Sequence, residues 1–263
     1  MAIEQRQVNG ITGLVQEVLA IANGQPPGGF LWFRGISCGT HTLIPKIMRD
    51  GKPMEQVFER EMRLLTRFRQ RSMAYWPAGY PQNDWEHLFA MQHFGMPTRL
   101  LDWSENLFVA AHFALESAPQ HAHEGGCVPV VWCVDPGEWN RSTPVLSEYG
   151  ESIQVLTTAD DELDAYRPET NKRRKRSPIA MFGAHNSARI VAQRGTFMVW
   201  GSDTRPLEEI GHEQTARLWR IEVQGQRADL SKSLTQLGFS ETMVFPELPS
   251  LSSELSRTEG WRT

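Results

Sequence analysis

Cysteine is scarce in this chain, with only Cys38, Cys127 and Cys133 in 263 residues. Three such residues make no disulfide framework and point to a reducing compartment. Long apolar runs are also missing. None approaches the roughly 20 residues that a membrane helix needs. The opening MAIEQRQVNG has neither the basic start nor the apolar run of a secretory signal. These absences predict a cytoplasmic protein with no membrane partner. Charge of one sign is lacking too. A net charge of -4 gives no global attraction to nucleic acid or anionic lipid, though it leaves room for a local basic patch. There is no G-x-S-x-G elbow, no Walker loop and no G-x-G-x-x-G turn. His121, His123, Cys127 and Cys133 match no zinc spacing, and the two cysteines flank an expected strand, so no metal is expected.

What is present is ordinary in bulk. The sequence is 40% hydrophobic and 22% charged, as in soluble globular proteins. Its length allows one large domain or two small ones with a substantial core. Helical spacing runs over Ile11–Ala22, then stops at Gly24 and the Pro26–Gly29 turn. A short apolar strand covers Phe30–Gly35. A long helix covers Met54–Arg71 and ends in a basic cluster of Arg60, Arg63, Arg67, Arg69 and Arg71. Asp84–His93 predicts another helix, with Asp84 as its cap. After the Gly95-Met96-Pro97 turn, an extended Thr98–Leu101 leads into a central helix from about Ser104 to Ser117. Asp102 and Glu105 have capping-box spacing there.

Val128–Val134 reads as a buried strand, ended by Asp135-Pro136-Gly137. Residues 140–177 read as a polar loop holding Lys172, Arg173, Arg174, Lys175 and Arg176. Ala188–Trp200 reads as a strand broken at Gln193-Arg194-Gly195. Leu218–Val223 is a further strand, and Ser231–Leu237 a short helix stopped by Gly238. The tail from Ser250 is polar and expected to fray. The fold class is α+β, a single domain with a helical N-terminal part and short mixed or antiparallel strands around one central helix. The expected divisions are a helical segment at 1–27, a domain at 28–255 and a tail at 256–263.

Several side chains have chemistry to offer. Arg34, at the end of an apolar strand, suits a phosphate or carboxylate through two parallel hydrogen bonds. Equally, it can pair with an acidic neighbour such as Asp102 to lock the core. Gly35 would let a ligand approach the backbone. Thr98, Asp102 and Ser104 surround the expected helix start, which offers free N–H groups to an anion; Asp102 or Ser104 can instead simply cap the helix. Gln193 would be aimed into a cleft by a bulge, or would face solvent at a tight bend. His93 is a weak candidate general base beside a structural reading. The run 172–176 is a solvated loop or a nucleic-acid contact with a salt-sensitive contribution.

Three segments together resemble the FRG domain: Phe33-Arg34-Gly35, then Gln92–Trp103, then Ala192–Phe197, with Phe245–Leu248 also similar. More remotely, the order of elements is similar to arginine-type ADP-ribosyltransferases. Arg34-Gly35 resembles their first strand end, Thr98 with Ala110–Ala114 their second element, and Gln193 stands where a strand carries their catalytic glutamate. This resemblance implies NAD as substrate. Arg34 would hold its pyrophosphate or ribose, Thr98 would brace the nicotinamide pocket and Gln193 would bond the ribose hydroxyl. A glutamine carries no negative charge, so Asp102 or Glu105 would have to supply it. The acceptor would be a protein or nucleic acid. A toxin restrained by an antitoxin or chaperone partner, in phage defence, is the implied setting. A non-catalytic module binding a nucleotide or a protein tail is the alternative, and a nucleic-acid enzyme a third.

Overall fold

In the computed structural model, the described residues are 3–76, 79–116, 127–144, 146, 155–184, 187–211 and 216–261. Seven strands form one mixed sheet in the order β1-β7-β4-β2-β3-β6-β5. They are β1 (Glu4–Asn9), β2 (Trp32–Ile36), β3 (Leu100–Ser104), β4 (Val130–Val134), β5 (Ile179–Phe182), β6 (Gly195–Val199) and β7 (Leu218–Gln224). The β1–β7 pair is parallel and the others are antiparallel. The helices are α1 (Gly10–Asn23), α2 (Met54–Ser72), α3 (Asp84–His93), α4 (Leu107–Leu115), α5 (Pro136–Ser142), α6 (Ala188–Gln193), α7 (Leu207–Gly211), α8 (Arg227–Gln236), α9 (Glu241–Val244) and α10 (Leu248–Thr258). The α+β class expected from the sequence is the class observed.

The sheet buries both faces. On one side, Ile11, Leu14 and Val18 of α1, Ala110, Ala111 and Ala114 of α4 and Leu230 of α8 pack on Phe33, Val131, Trp219 and Ile221. On the other, α2 brings Met54 and Val57 to Trp32, Trp103, Trp132 and Trp200. A third cluster joins Leu65 and α3 to Phe197, Ile179 and Tyr166. Small alanines let α4 approach the sheet closely. A Cβ added to Gly35 would lie 1.8 Å from the Ala110 carbonyl oxygen. The space beside Gly35 thus belongs to α4, rather than to a ligand approaching the backbone.

Several sequence expectations change here. The central helix begins at Leu107, capped by the Asn106 side chain on Phe108 N–H at 2.9 Å. Asp102 and Ser104 lie in β3, paired with Phe197 and Gly195 of β6, so neither caps a helix and no capping box forms. The cap of α3 is Asn83, which accepts from Glu86 N–H, and Asp84 pairs with Arg69 instead. The segment 188–193 is a helix capped by Ser187. It stops where Arg194 takes φ 44, the positive-φ conformation that ends helices. Gln193 is therefore the last residue of α6 and sits in no strand bulge. The N-terminal segment adds β1 to its helix. The polar tail holds α10, whose Leu248, Leu251 and Leu255 are exposed.

Cys38 and Cys127 are joined in a disulfide, while Cys133 is free and buried. The three cysteines, read as forming no disulfide framework, include this one bond, which removes the cysteine-based argument for a reducing compartment. No helix among the described residues is long and apolar enough to cross a membrane.

Candidate functional site

The sheet is weakest between β2 and β3, which share one register pair, Phe33 with Ser104. Past that pair the strands part, and a cleft of about 560 Å³ opens there. This lies within the usual range for small-molecule sites. Arg34 bridges the gap by donating Nη1–H to the Asp102 carbonyl oxygen, and its Nη1 stands 3.8 Å from the Asp102 carboxylate. Burial pushes the Arg34 pKa below its ordinary value; Asp102 counteracts this and Arg49 adds to it. The Arg34 side chain is 17% exposed and that of Asp102 53%, so the carboxylate faces the open cleft.

A polar relay orients that carboxylate. The buried Thr98 hydroxyl donates to Gln92 Oε1 at 2.7 Å, and Gln92 Nε2 donates to Asp102 Oδ2 at 2.6 Å. Thr98 itself takes the Leu100 N–H at 3.1 Å. It lies behind Gln92 and does not line the cleft. Gln92 is the link that residue-by-residue reading missed; its place beside His93 in a polar helix end was the available signal.

Phe33, Arg34 and Gly35 lie within β2 rather than at its end, and they meet the 92–103 segment at one place in the fold. Residues 30–123 match the FRG domain family. No curated protein and no solved structure matches the chain. The FRG match takes in the Arg34, Gln92, Thr98 and Asp102 relay. The similarities read at 192–197 and 245–248 fall outside the matched span.

The remaining wall of the cleft comes from α4 and α6. Phe113 of α4 and Glu116 just past its end line it on one side, and Arg189 and Gln193 of α6 on the other. The Gln193 amide donates to the Val244 carbonyl at 3.1 Å, and the Gln193 carbonyl accepts from Ser104 Oγ at 2.6 Å. Ser104 also takes the Asn106 N–H, so its hydroxyl ties β3 to both neighbouring helices. Arg189 lies over the Phe245 ring at 4.6 Å. Neither Arg49 nor Arg189 belongs to a motif that would single it out in the sequence.

His93 lines the cleft, and burial holds its pKa below the usual histidine value. Arg189 lowers it further and Glu247 opposes the shift. The ring is thus suited to the neutral form. Arg34, Gly35, His93, Asp102, Ser104 and Gln193 share the cleft. Glu105 is not among its lining residues.

The basic run lies elsewhere, and none of its five residues lines the cleft. Lys172 pairs with Asp164 and Arg176 with Asp203. The Arg174 guanidinium stacks on Phe58 at 3.8 Å and donates to the Arg167 and Pro168 carbonyls, and burial brings its pKa down to about 10. Arg173 and Lys175 are exposed. Among the described residues, no group of three or more metal-ligating side chains comes together. His121 and His123 lie outside the described residues.

Proposed function

We propose that the cleft binds NAD and directs ADP-ribosyl transfer to a macromolecule. The observation that carries this reading is the opposition of the Arg34 guanidinium and the open Asp102 carboxylate at the split between β2 and β3. Aromatic side chains (Phe33, Phe113, Phe197) supply surfaces for flat rings beside these charges. NAD would bring a ribose–nicotinamide bond whose cleavage develops positive charge on the ribose. A fixed carboxylate stabilises such charge. Asp102 is held for that role by Gln92, while Arg34 anchors the anionic part of the substrate. The acceptor hydroxyl, amine or ring nitrogen would give up a proton as it bonds to the ribose. The neutral His93 ring lines the same cleft and suits a proton acceptor.

In this reading Gln193 positions the far wall and Asp102 carries the charge. A transferase of this kind would act on a protein or nucleic acid in the cytoplasm. Its toxicity would call for a restraining partner, as in toxin–antitoxin and phage-defence systems.

One observation favours a non-catalytic nucleotide-binding module instead. The Gln193 amide is spent on the Val244 carbonyl at the end of a helix, and Gln193 itself carries no charge. Nicotinamide release from labelled NAD, with wild type beside Arg34→Ala, separates the two. Release that depends on Arg34, with label left on protein or RNA, supports the transferase. Saturable nucleotide binding without release supports the module.

A further inference from the structure

Beyond Asp102 the cleft continues into a side pocket of about 200 Å³, between the parted strands and the turn at Gly95 and Met96. Three cationic side chains line it, Arg34, Lys46 and Arg49, against the single carboxylate of Asp102. Arg34 is the least exposed of the three, and its Nε is shielded from solvent with no hydrogen-bond partner. Lys46 and Arg49 are exposed and sit at the rim. Lys46 uses one of its three protons on the Gly95 carbonyl at 2.8 Å. Arg49 reaches the Ile44 carbonyl through Nε at 3.5 Å, and its two terminal nitrogens have no protein partner among the described residues. Arg49 also disfavours the charged form of Arg34. Like charges gathered around a desolvated guanidinium are unfavourable until an anion joins them.

We propose that this side pocket is a binding site for the pyrophosphate of a nucleotide. Arg34 meets it from the floor through the part of its guanidinium that Asp102 does not hold, and Lys46 and Arg49 close on it from the rim. Three cations against one carboxylate leave an excess that a doubly charged phosphoryl group matches and a single carboxylate ligand does not. The position deepens the reading of the main cleft, on which it rests for the identity of the nucleotide. It sets the phosphates beside Asp102 and leaves the aromatic-walled cleft for the rings. The affinity for the anion itself is independent of any turnover.

The test is calorimetric titration of the full chain at low salt with inorganic pyrophosphate, and with ADP beside adenosine. The expected result is that pyrophosphate binds and that ADP binds more tightly than adenosine. Arg49→Gln and Lys46→Gln should each weaken pyrophosphate about tenfold, as loss of one charged hydrogen bond does. Arg49→Lys should recover part of the loss. Both side chains are exposed, so the variants keep the wild-type melting curve. The proposal is overturned if wild type does not bind pyrophosphate, or if both glutamine variants bind it as tightly as wild type. Pyrophosphate binding that depends on Arg49, in a protein that releases no nicotinamide, would keep this site and end the transferase reading. Nicotinamide release without pyrophosphate binding would do the reverse.

Discussion

Glu61 of α2 accepts two hydrogen bonds from Arg99, from its backbone N–H at 3.0 Å and from Nε–H at 2.7 Å, with both side chains 1% exposed. The rest of the Arg99 guanidinium is satisfied by the Trp200 and Tyr166 carbonyls. This pair fixes the start of β3. Thr98 stands immediately before it, so the relay from Thr98 through Gln92 to Asp102 hangs from a buried ion pair.

Removing one partner leaves a buried charge without compensation. Glu61→Ala should therefore cost about 3–5 kcal/mol of stability. Urea denaturation measures it, and a loss under 1 kcal/mol would show that the pair is not holding β3.

Gly35 has no room for a side chain. Besides the Ala110 carbonyl, an added Cβ would stand 2.6 Å from the Ala114 backbone nitrogen, and neither backbone atom can move without shifting α4. Gly35→Ala should lose about 3 kcal/mol or more, in the upper range for overpacking. A variant with a wild-type unfolding midpoint would contradict the close approach of β2 and α4.

Asp102 is half exposed, so Asp102→Asn should leave thermal stability near wild type. If its carboxylate stabilises charge on the ribose, nicotinamide release should fall about 100- to 1000-fold. Unchanged release in Asp102→Asn would remove Asp102 from the chemistry.

Histidine sets a pH trend. His93 and His112 both have pKa values held below the unfolded value, chiefly by burial. Around His112, Glu116 and Glu241 oppose the shift and Arg257 adds to it. The unfolded chain then binds more protons than the folded one as pH falls. Stability from these residues is complete above the unfolded histidine pKa, about 6.5, and is lost as pH drops from there through the folded values. Melting temperatures between pH 8 and 5 should fall, and His112→Gln should flatten the slope. An equal slope in the variant would exclude His112 as a source.

The Cys38–Cys127 disulfide closes a sequence separation of 89 residues. Cross-links of such span constrain the unfolded chain, and removal should cost about 2–4 kcal/mol. Thiol titration of the unreduced, denatured protein should find one free cysteine, Cys133. Three free thiols would refute the bond.

Sequence legibility differed by element. The α1, α2 and β7 segments were legible from their apolar periodicity, β4 from its continuous apolar run, and α3 from its polar start and the Gly95 turn that follows it. Residues 102–104 and 188–193 differ from their sequence reading for a shared reason. Both are short, and pairing or capping by distant residues decides their conformation. Pairing with β6 made 100–104 a strand, and Asn106 took over the helix start. Ser187 and the positive φ of Arg194 made 188–193 a helix. Strand β1 was missed because its burial alternates weakly, with Val8 its buried residue. Its parallel partner, β7, is more than 200 residues away.

The sequence by itself determined the mixed class and the main helices, and it singled out Arg34, Asp102 and the 92–103 segment as candidates. Those follow from local periodicity and from residue types whose chemistry is the same wherever they fold. The tertiary structure alone decided that β2 and β3 share one pair and then part, so that a backbone gap becomes a cleft. It also decided that Gln92 aims Asp102, that Gln193 is turned to Val244, and that Lys46 and Arg49 gather beside Arg34. These depend on contacts between residues far apart in the chain, which local pattern does not encode.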